Sequence, residues 1–188
     1  ELSCDFRFCL CEWFKNIVAR APDGLRWARG YDLAISTKTS ADHTASFRCA
    51  KDAEGNLYIA DGMRGRLEYP EQRKYVIGRM RAERNTRHAI ENALHGQAFV
   101  QDLRRLRSLS HVPLQAVTVE ADKFTRALAW ASLAEAGKVI LVRGPWIDDF
   151  LDEVCRFTGK NDASDDQVDA VSLAVRAVSS TRSKLLKF

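Results

Sequence analysis

The sequence predicts an α/β fold, a mixed five-stranded sheet with helices on both faces, and two observations predict it. Three extended runs follow one another between residues 26 and 63, and from residue 69 onward stretches with helical apolar spacing alternate with short strand-like runs. A length of 188 residues fits one domain large enough to bury its apolar surface without disulfides or a structural metal.

Taken in order, residues 1–20 mix Cys, Phe and Trp with charges and end at Ala21-Pro22-Asp23-Gly24, a turn in which Pro fixes φ and Gly tolerates its positive values. A helical lead-in or linker is expected there, so that residues 1–24 form an extension ahead of a domain over 25–188. Residues 26–35 and 44–50 read as strands, and 56–63 as a third beyond the Asp52-Ala53-Glu54-Gly55 turn, all antiparallel. Residues 69–84 carry Tyr75, Val76, Ile77 and Met80 among charges, a helix with one buried face and Pro70 in its first turn. Residues 88–91 are a short strand-like piece. Residues 97–109 form a helix with Phe99, Val100, Leu103 and Leu106 in phase, and 114–119 a strand. Residues 123–136 are a helix closed by Gly137, 138–142 a strand, 146–157 a helix, and 165–179 a last helix before a basic tail.

Composition narrows the class only coarsely. The 46% hydrophobic and 29% charged residues exclude a disordered chain, and no run approaches the roughly 18 apolar residues of a membrane span. Lys+Arg 29 against Asp+Glu 25 gives a net charge of +4, which suits a polyanionic partner without requiring one. Cys4, Cys9, Cys11, Cys49 and Cys155 are odd in number and lack the paired C-x-x-C spacing of a zinc site. They read as reduced thiols. With nothing resembling a cleaved signal peptide, a soluble protein of a bacterial or infected-host cytoplasm, not a secreted one, is expected.

The acidic residues carry the chemistry. Asp32 lies in the first strand among residues suited to a buried sheet, where a carboxylate is costly unless paired or bound to a cation. Glu91 ends a later strand, and in open α/β sheets ligands gather at the carboxyl ends of strands. In the last helix Ser164 and Gln167 are spaced for a capping box, and Asp165 and Asp166 sit where the helix dipole favours negative charge. At about 100° per residue Asp166 projects with Ala170, Leu173 and Ala177, and Asp169 only slightly round from Leu173. Two acids three apart on a face that should pack against the sheet call for a cation, with Asp166 the principal helix ligand and Asp169 supporting. Hard oxygen ligands without His or Cys suit Mg²⁺ or Mn²⁺, and two such ions about 4 Å apart suit hydrolysis of a phosphodiester. A basic groove for DNA is expected beside the acids, built from Arg64 and Arg66 on a loop and Lys123 and Arg126 one helical turn apart. Arg104, Arg105 and Arg107 read as a solvated face.

Gly30-Tyr31-Asp32-Leu33-Ala34 with Asp42-His43-Thr44-Ala45 downstream, Ile90-Glu91-Asn92 with Gly96, Asp122-Lys123-Phe124-Thr125-Arg126-Ala127 and Asp165-Asp166-Gln167-Val168-Asp169-Ala170 stand in a telling order. The ordered set, over about residues 25–178, resembles the nuclease domains of terminase large subunits of tailed bacteriophages and their prophages. The resemblance implies a ribonuclease H-like fold and a metal-dependent endonuclease that cuts double-stranded DNA, largely without sequence preference, during viral genome packaging. It implies Asp32, Glu91 and Asp166 as the metal-binding catalytic triad, Asp42 and Asp169 as auxiliary metal-binding acids, and Lys123 and Arg126 near the scissile phosphate. The implied partners are DNA, an ATPase motor, a portal and a small terminase subunit. The chain has no G-x-x-x-x-G-K-[ST] segment, so that motor is expected outside it. Two rivals remain at this stage: a Holliday-junction resolvase or transposase-like nuclease of the same fold, and a non-catalytic nucleic-acid-binding assembly module in which the acids are caps and surface charges.

Overall fold

A computed structural model describes residues 12–34, 43–160, 162 and 164–180. The elements among these residues are β1 Asn16–Val18, β2 Arg26–Asp32, β3 Thr44–Lys51, β4 Leu57–Gly65, α1 Tyr69–Ala82, β5 Arg87–Glu91, α2 Leu94–Arg104, β6 Leu114–Val117, α3 Lys123–Glu135, β7 Val139–Val142, α4 Ile147–Arg156 and α5 Asp166–Ser179, with a 3-10 turn at Arg107–Leu109. The strands form one sheet in the order β1-β7-β4-β3-β2-β5-β6. β2, β3 and β4 are the expected antiparallel meander, while β5 runs parallel to β2, β6 to β5, β7 to β4 and β1 to β7.

The sheet has seven strands among the described residues, not five. The six strand-like runs read from the sequence all pair, one more than the five-stranded sheet expected of them, and β1 adds a seventh inside the segment expected to be a helical lead-in. Asn16–Val18 is short and exposed, and it owes its form to pairing with β7 rather than to any alternation of its own. The helix expected over residues 97–109 runs from Leu94 to Arg104, and an extended Leu106 separates it from the 3-10 turn at Arg107–Leu109.

Alternation along β2 divides its side chains between the two faces. Arg29 and Tyr31 point toward α1 and α2, where Tyr31, Val76, Met80, Ile90, Phe99 and Leu103 form one core. Ala28 and Gly30 point toward α5, and on that side Phe47, Trp130, Trp146, Phe150 and Val171 belong to the larger core with α3 and α4. A Cβ on Gly30 would overlap the Ala170 carbonyl and come within 2.6 Å of the Ala174 nitrogen, so glycine there lets the backbone of α5 lie directly on β2. That contact fixes where the first turn of α5 ends up.

One irregularity matters for the site. The register of β3 with β4 shifts between Arg48 and Cys49, leaving Ala60 as an extra residue on β4. Leu57 and Ile59 face α5 before this bulge, and Gly62 and Arg64, opposite Phe47 and Ala45, face it afterwards. Were Ala60 paired in regular alternation instead of bulged, Arg64 would emerge on the other side of the sheet. Of the described cysteines, Cys49 is a free buried thiol whose pKa burial pushes up to about 12.

Candidate functional site

Asp32 and Glu91 close neighbouring parallel strands. β2 and β5 pair through Tyr31 opposite Ile90, so the next step in register sets Asp32 beside Glu91 at the carboxyl end of both strands. Each has the parity of a residue packed under α5: Gly30 in β2, Ala89 in β5. The chain then turns sharply, and a Cβ on Gly96 would overlap the Glu91 carbonyl, which allows α2 to start close against the end of β5. From above, Gly30 under Ala170 brings the preceding turn of α5, with Asp166 and Asp169, over the same strand ends. Three elements distant in sequence thus converge on one pole of the sheet.

The charges of these elements act on one another. Burial pushes the Asp32 carboxyl well above the usual carboxylate range. The negative charges of Asp169 and Asp166 push the same way, Lys123 opposes them, and Glu91 adds to the rise. Asp166 is raised by burial and by the charge of Glu153, against the pull of Arg64 and His43. Asp169, only 4% exposed, is raised by burial although Arg126 and Lys123 oppose it.

The basic residues are bound to these acids. Asp122 caps α3, accepting from the Thr125 nitrogen at 2.9 Å and the Thr125 hydroxyl at 2.8 Å. That cap sets Lys123 and Arg126 on the side of α3 that meets α5. Lys123 Nζ lies 2.6 Å from Asp165 and 3.3 Å from Asp169, and Arg126 Nη2 lies 2.9 Å from Asp169 Oδ1. Arg64 Nε stands 3.6 Å from Asp166 and 3.5 Å from Glu153, and Arg64 Nη2 donates to the Ser164 hydroxyl at 2.7 Å. His43 Nδ1 is 3.9 Å from Asp166.

The match to known proteins fits this geometry. The family model of the terminase RNase H-like domain matches residues 29–177. The chain belongs to that family. Similar solved structures include the human cytomegalovirus terminase nuclease domain, Mn soaked and inhibitor bound, at 14% identity and a TM-score of 0.64 over 94% of both chains. The large terminase nuclease from thermophilic phage G20c with bound magnesium matches at 15% identity and a TM-score of 0.61, covering 90% of this chain and 96% of that one. The Thermus phage P74-26 large terminase nuclease domain matches at 14% identity and 0.58, covering 89% and 93%. No curated protein matches the chain in sequence.

Within this terminase domain the structure brings together Asp32, Glu91, Asp166 and Asp169, with Lys123, Arg126 and Arg64 around them. Arg66 is exposed just beyond β4, and Asp42 lies outside the described residues. Asp169 is the more buried of the two helix acids and weighs on Asp32 ahead of Asp166. The capping box expected from Ser164 and Gln167 does not form. The N-cap of α5 is Asp165, which makes no side-chain cap bond, and Glu153 of α4 serves the helix end instead. Glu153 and His43 were missed by sequence reasoning. The signal for Glu153 was a charged residue on the stripe Ile147, Phe150 and Val154, all buried in α4.

Among the described residues no three His, Cys, Asp or Glu side chains are gathered closely enough to grip an ion. The donor set nevertheless fits a hard divalent cation in chemistry. Its potential ligands are all oxygen, its carboxylates resist ionising together, and the buried Asp169 Oδ1 accepts no hydrogen bond despite the nearby arginine.

Proposed function

We propose that this terminase domain is an endonuclease that hydrolyses phosphodiester bonds of double-stranded DNA during viral genome packaging, using Mg²⁺ or Mn²⁺, two ions in the working state. The observation that carries this reading is the excess of carboxylate at the strand ends under α5, where Asp169, Asp166 and Glu91 all raise Asp32. Asp32, Glu91, Asp166 and Asp169 would hold the ions, with Asp42 as a further acid. A divalent cation bound there supplies an activated water and neutralises charge developing on the phosphate oxygens.

The chain's own groups do the rest. Ionised together, the four acids form an anionic pole that does not itself attract DNA, so the flanking cations must hold the backbone. Lys123 and Arg126, fixed by the Asp122 cap, sit beside the acids, and Arg126 Nε and Nη1 are buried donors without a hydrogen bond among the described residues. Arg64, 3.6 Å from Asp166, and Arg66 two residues further on would supply the other flank, so that a phosphate between the pairs would meet cations on two sides. None of these contacts reads a base edge, which supports cutting with little sequence preference. The partners of such a domain would be an ATPase motor, a portal and a small terminase subunit in the cytoplasm of the bacterial host.

The test is cleavage of supercoiled plasmid in Mg²⁺, Mn²⁺ or EDTA by the native chain and by folded Asp32→Ala and Asp166→Ala variants. Nicking and linearisation that require metal and disappear in both variants are expected. Cutting that persists in EDTA or in the variants would contradict the assignment.

A further inference from the structure

Glu153 is placed where a carboxylate should not rest without a purpose. It lies on the buried stripe of α4, its side chain only 4% exposed, and burying a charge there is costly unless every lone pair is used. Oε1 accepts from the backbone nitrogens of Gln167 at 2.7 Å and Val168 at 3.3 Å, two of the N–H groups that the start of α5 leaves without a helical partner. Capping would need no more than that. Yet Oε2 accepts from the Ser164 hydroxyl at 2.8 Å and Gln167 Nε2 at 3.0 Å, and lies 3.5 Å from Arg64 Nε. Arg64 and Ser164 are the groups that also reach Asp166, at 3.6 Å and 3.4 Å. Glu153 and Asp166 therefore share one arginine and one hydroxyl across the first turn of α5.

We propose that Glu153 is a positioning residue for the acid site: it clamps the first turn of α5 and takes a share of Arg64, leaving the Asp166 carboxylate available to a divalent cation. The proposal rests on the metal-dependent reading above. Glutamine at 153 keeps an oxygen for the two backbone nitrogens, but turns an amide donor toward Ser164, Gln167 and Arg64, which are donors themselves. Arg64 is then left with Asp166 as its carboxylate partner and competes with the cation for it.

The experiment is Mn²⁺ binding by the full chain, followed by the electron paramagnetic resonance of free Mn²⁺, beside thermal unfolding, for native, Glu153→Gln and Ser164→Ala proteins. Glu153→Gln is expected to weaken Mn²⁺ binding by roughly tenfold or more, as loss of an outer contact to a ligand does, and Ser164→Ala by a smaller factor. A Glu153→Gln protein that unfolds earlier but binds Mn²⁺ like the native chain would reduce Glu153 to a helix cap and overturn the proposal. If Glu153→Gln does not fold, Ser164→Ala decides alone: it leaves every acid in place and removes only the hydroxyl that Glu153 and Asp166 share, and native-like binding by it overturns the clamp. A native chain that binds no Mn²⁺ would overturn the metal-dependent reading, and the clamp's purpose with it.

Discussion

Two charged clusters lie on opposite faces of β2, centred three residues apart on Arg29 and Asp32, and they are built on opposite principles. On the α1 face Arg29, with no exposed surface, donates to Glu83 through Nε and Nη2 at 2.8 Å each, to Ser46 at 3.0 Å and to Asp61. Arg79 adds contacts to Asp61 at 3.3 Å and Glu83 at 3.7 Å, so each buried charge meets an opposite one. On the α5 face Asp32 meets mainly its own sign, and Asp32, Asp166 and Asp169 are all raised. A sheet can bury charge at low risk when the set is matched and hydrogen-bonded. An unmatched set on the same strand is a standing cost, of the kind that functional sites carry.

The sharpest way to separate the clusters is Asp32→Asn. Metal-dependent plasmid cleavage should fall by more than about a hundredfold, beyond the usual loss for an outer contact of a metal site. Stability in urea should hold or rise, because the amide removes a charge that its surroundings disfavour. Arg29→Met should do the reverse. Stripping the partner from Glu83 and Asp61 is expected to cost about 3–5 kcal/mol in chemical denaturation, while the molecules that remain folded still cut.

Acid titration offers a third contrast. His88 is buried on the α1 face, where its Nδ1 and the Tyr31 hydroxyl share a hydrogen bond at 2.7 Å, and burial pushes its pKa down to about 4. A base whose folded pKa is depressed supports the fold fully above its unfolded value of about 6.5. That support is lost as pH falls from there toward 4, about 3 kcal/mol in all. The raised acids of the other face act with the opposite sign, since protonation relieves them. The difference between native and His88→Gln urea midpoints from pH 7 to pH 4 isolates the histidine: the native chain should lose more, and parallel curves would refute the assignment. Smallest is Gly30→Ala, expected to cost about 1–3 kcal/mol by lifting α5 from β2, with cleavage reduced as Asp166 and Asp169 move away from Asp32.

Much of this was legible in the residues. The helices announced themselves by apolar spacing; the candidate acids were marked on separate grounds, Asp32 by its place in a buried strand, Glu91 by its place at a strand end and Asp166 by its helix face. β1 was not legible because three residues carry no period. The phase of Arg64 was hidden because it depends on one extra residue in β4, a property of the pairing with β3 rather than of either strand. The cap of α5 was misassigned for a similar reason: Ser164 and Gln167 have the spacing of a local box, but a buried glutamate from α4 took the same donors. Arg29 read as an ordinary strand residue, since its partners Glu83 and Asp61 come from beyond the meander's first hairpin.

The most direct test of the acid pole is a crystal of the chain soaked in Mn²⁺. Anomalous density held by Asp32, Glu91 and the acids of α5 is the predicted result. Density absent from that pole, or bound elsewhere on the domain while the crystals still contain active protein, would contradict it.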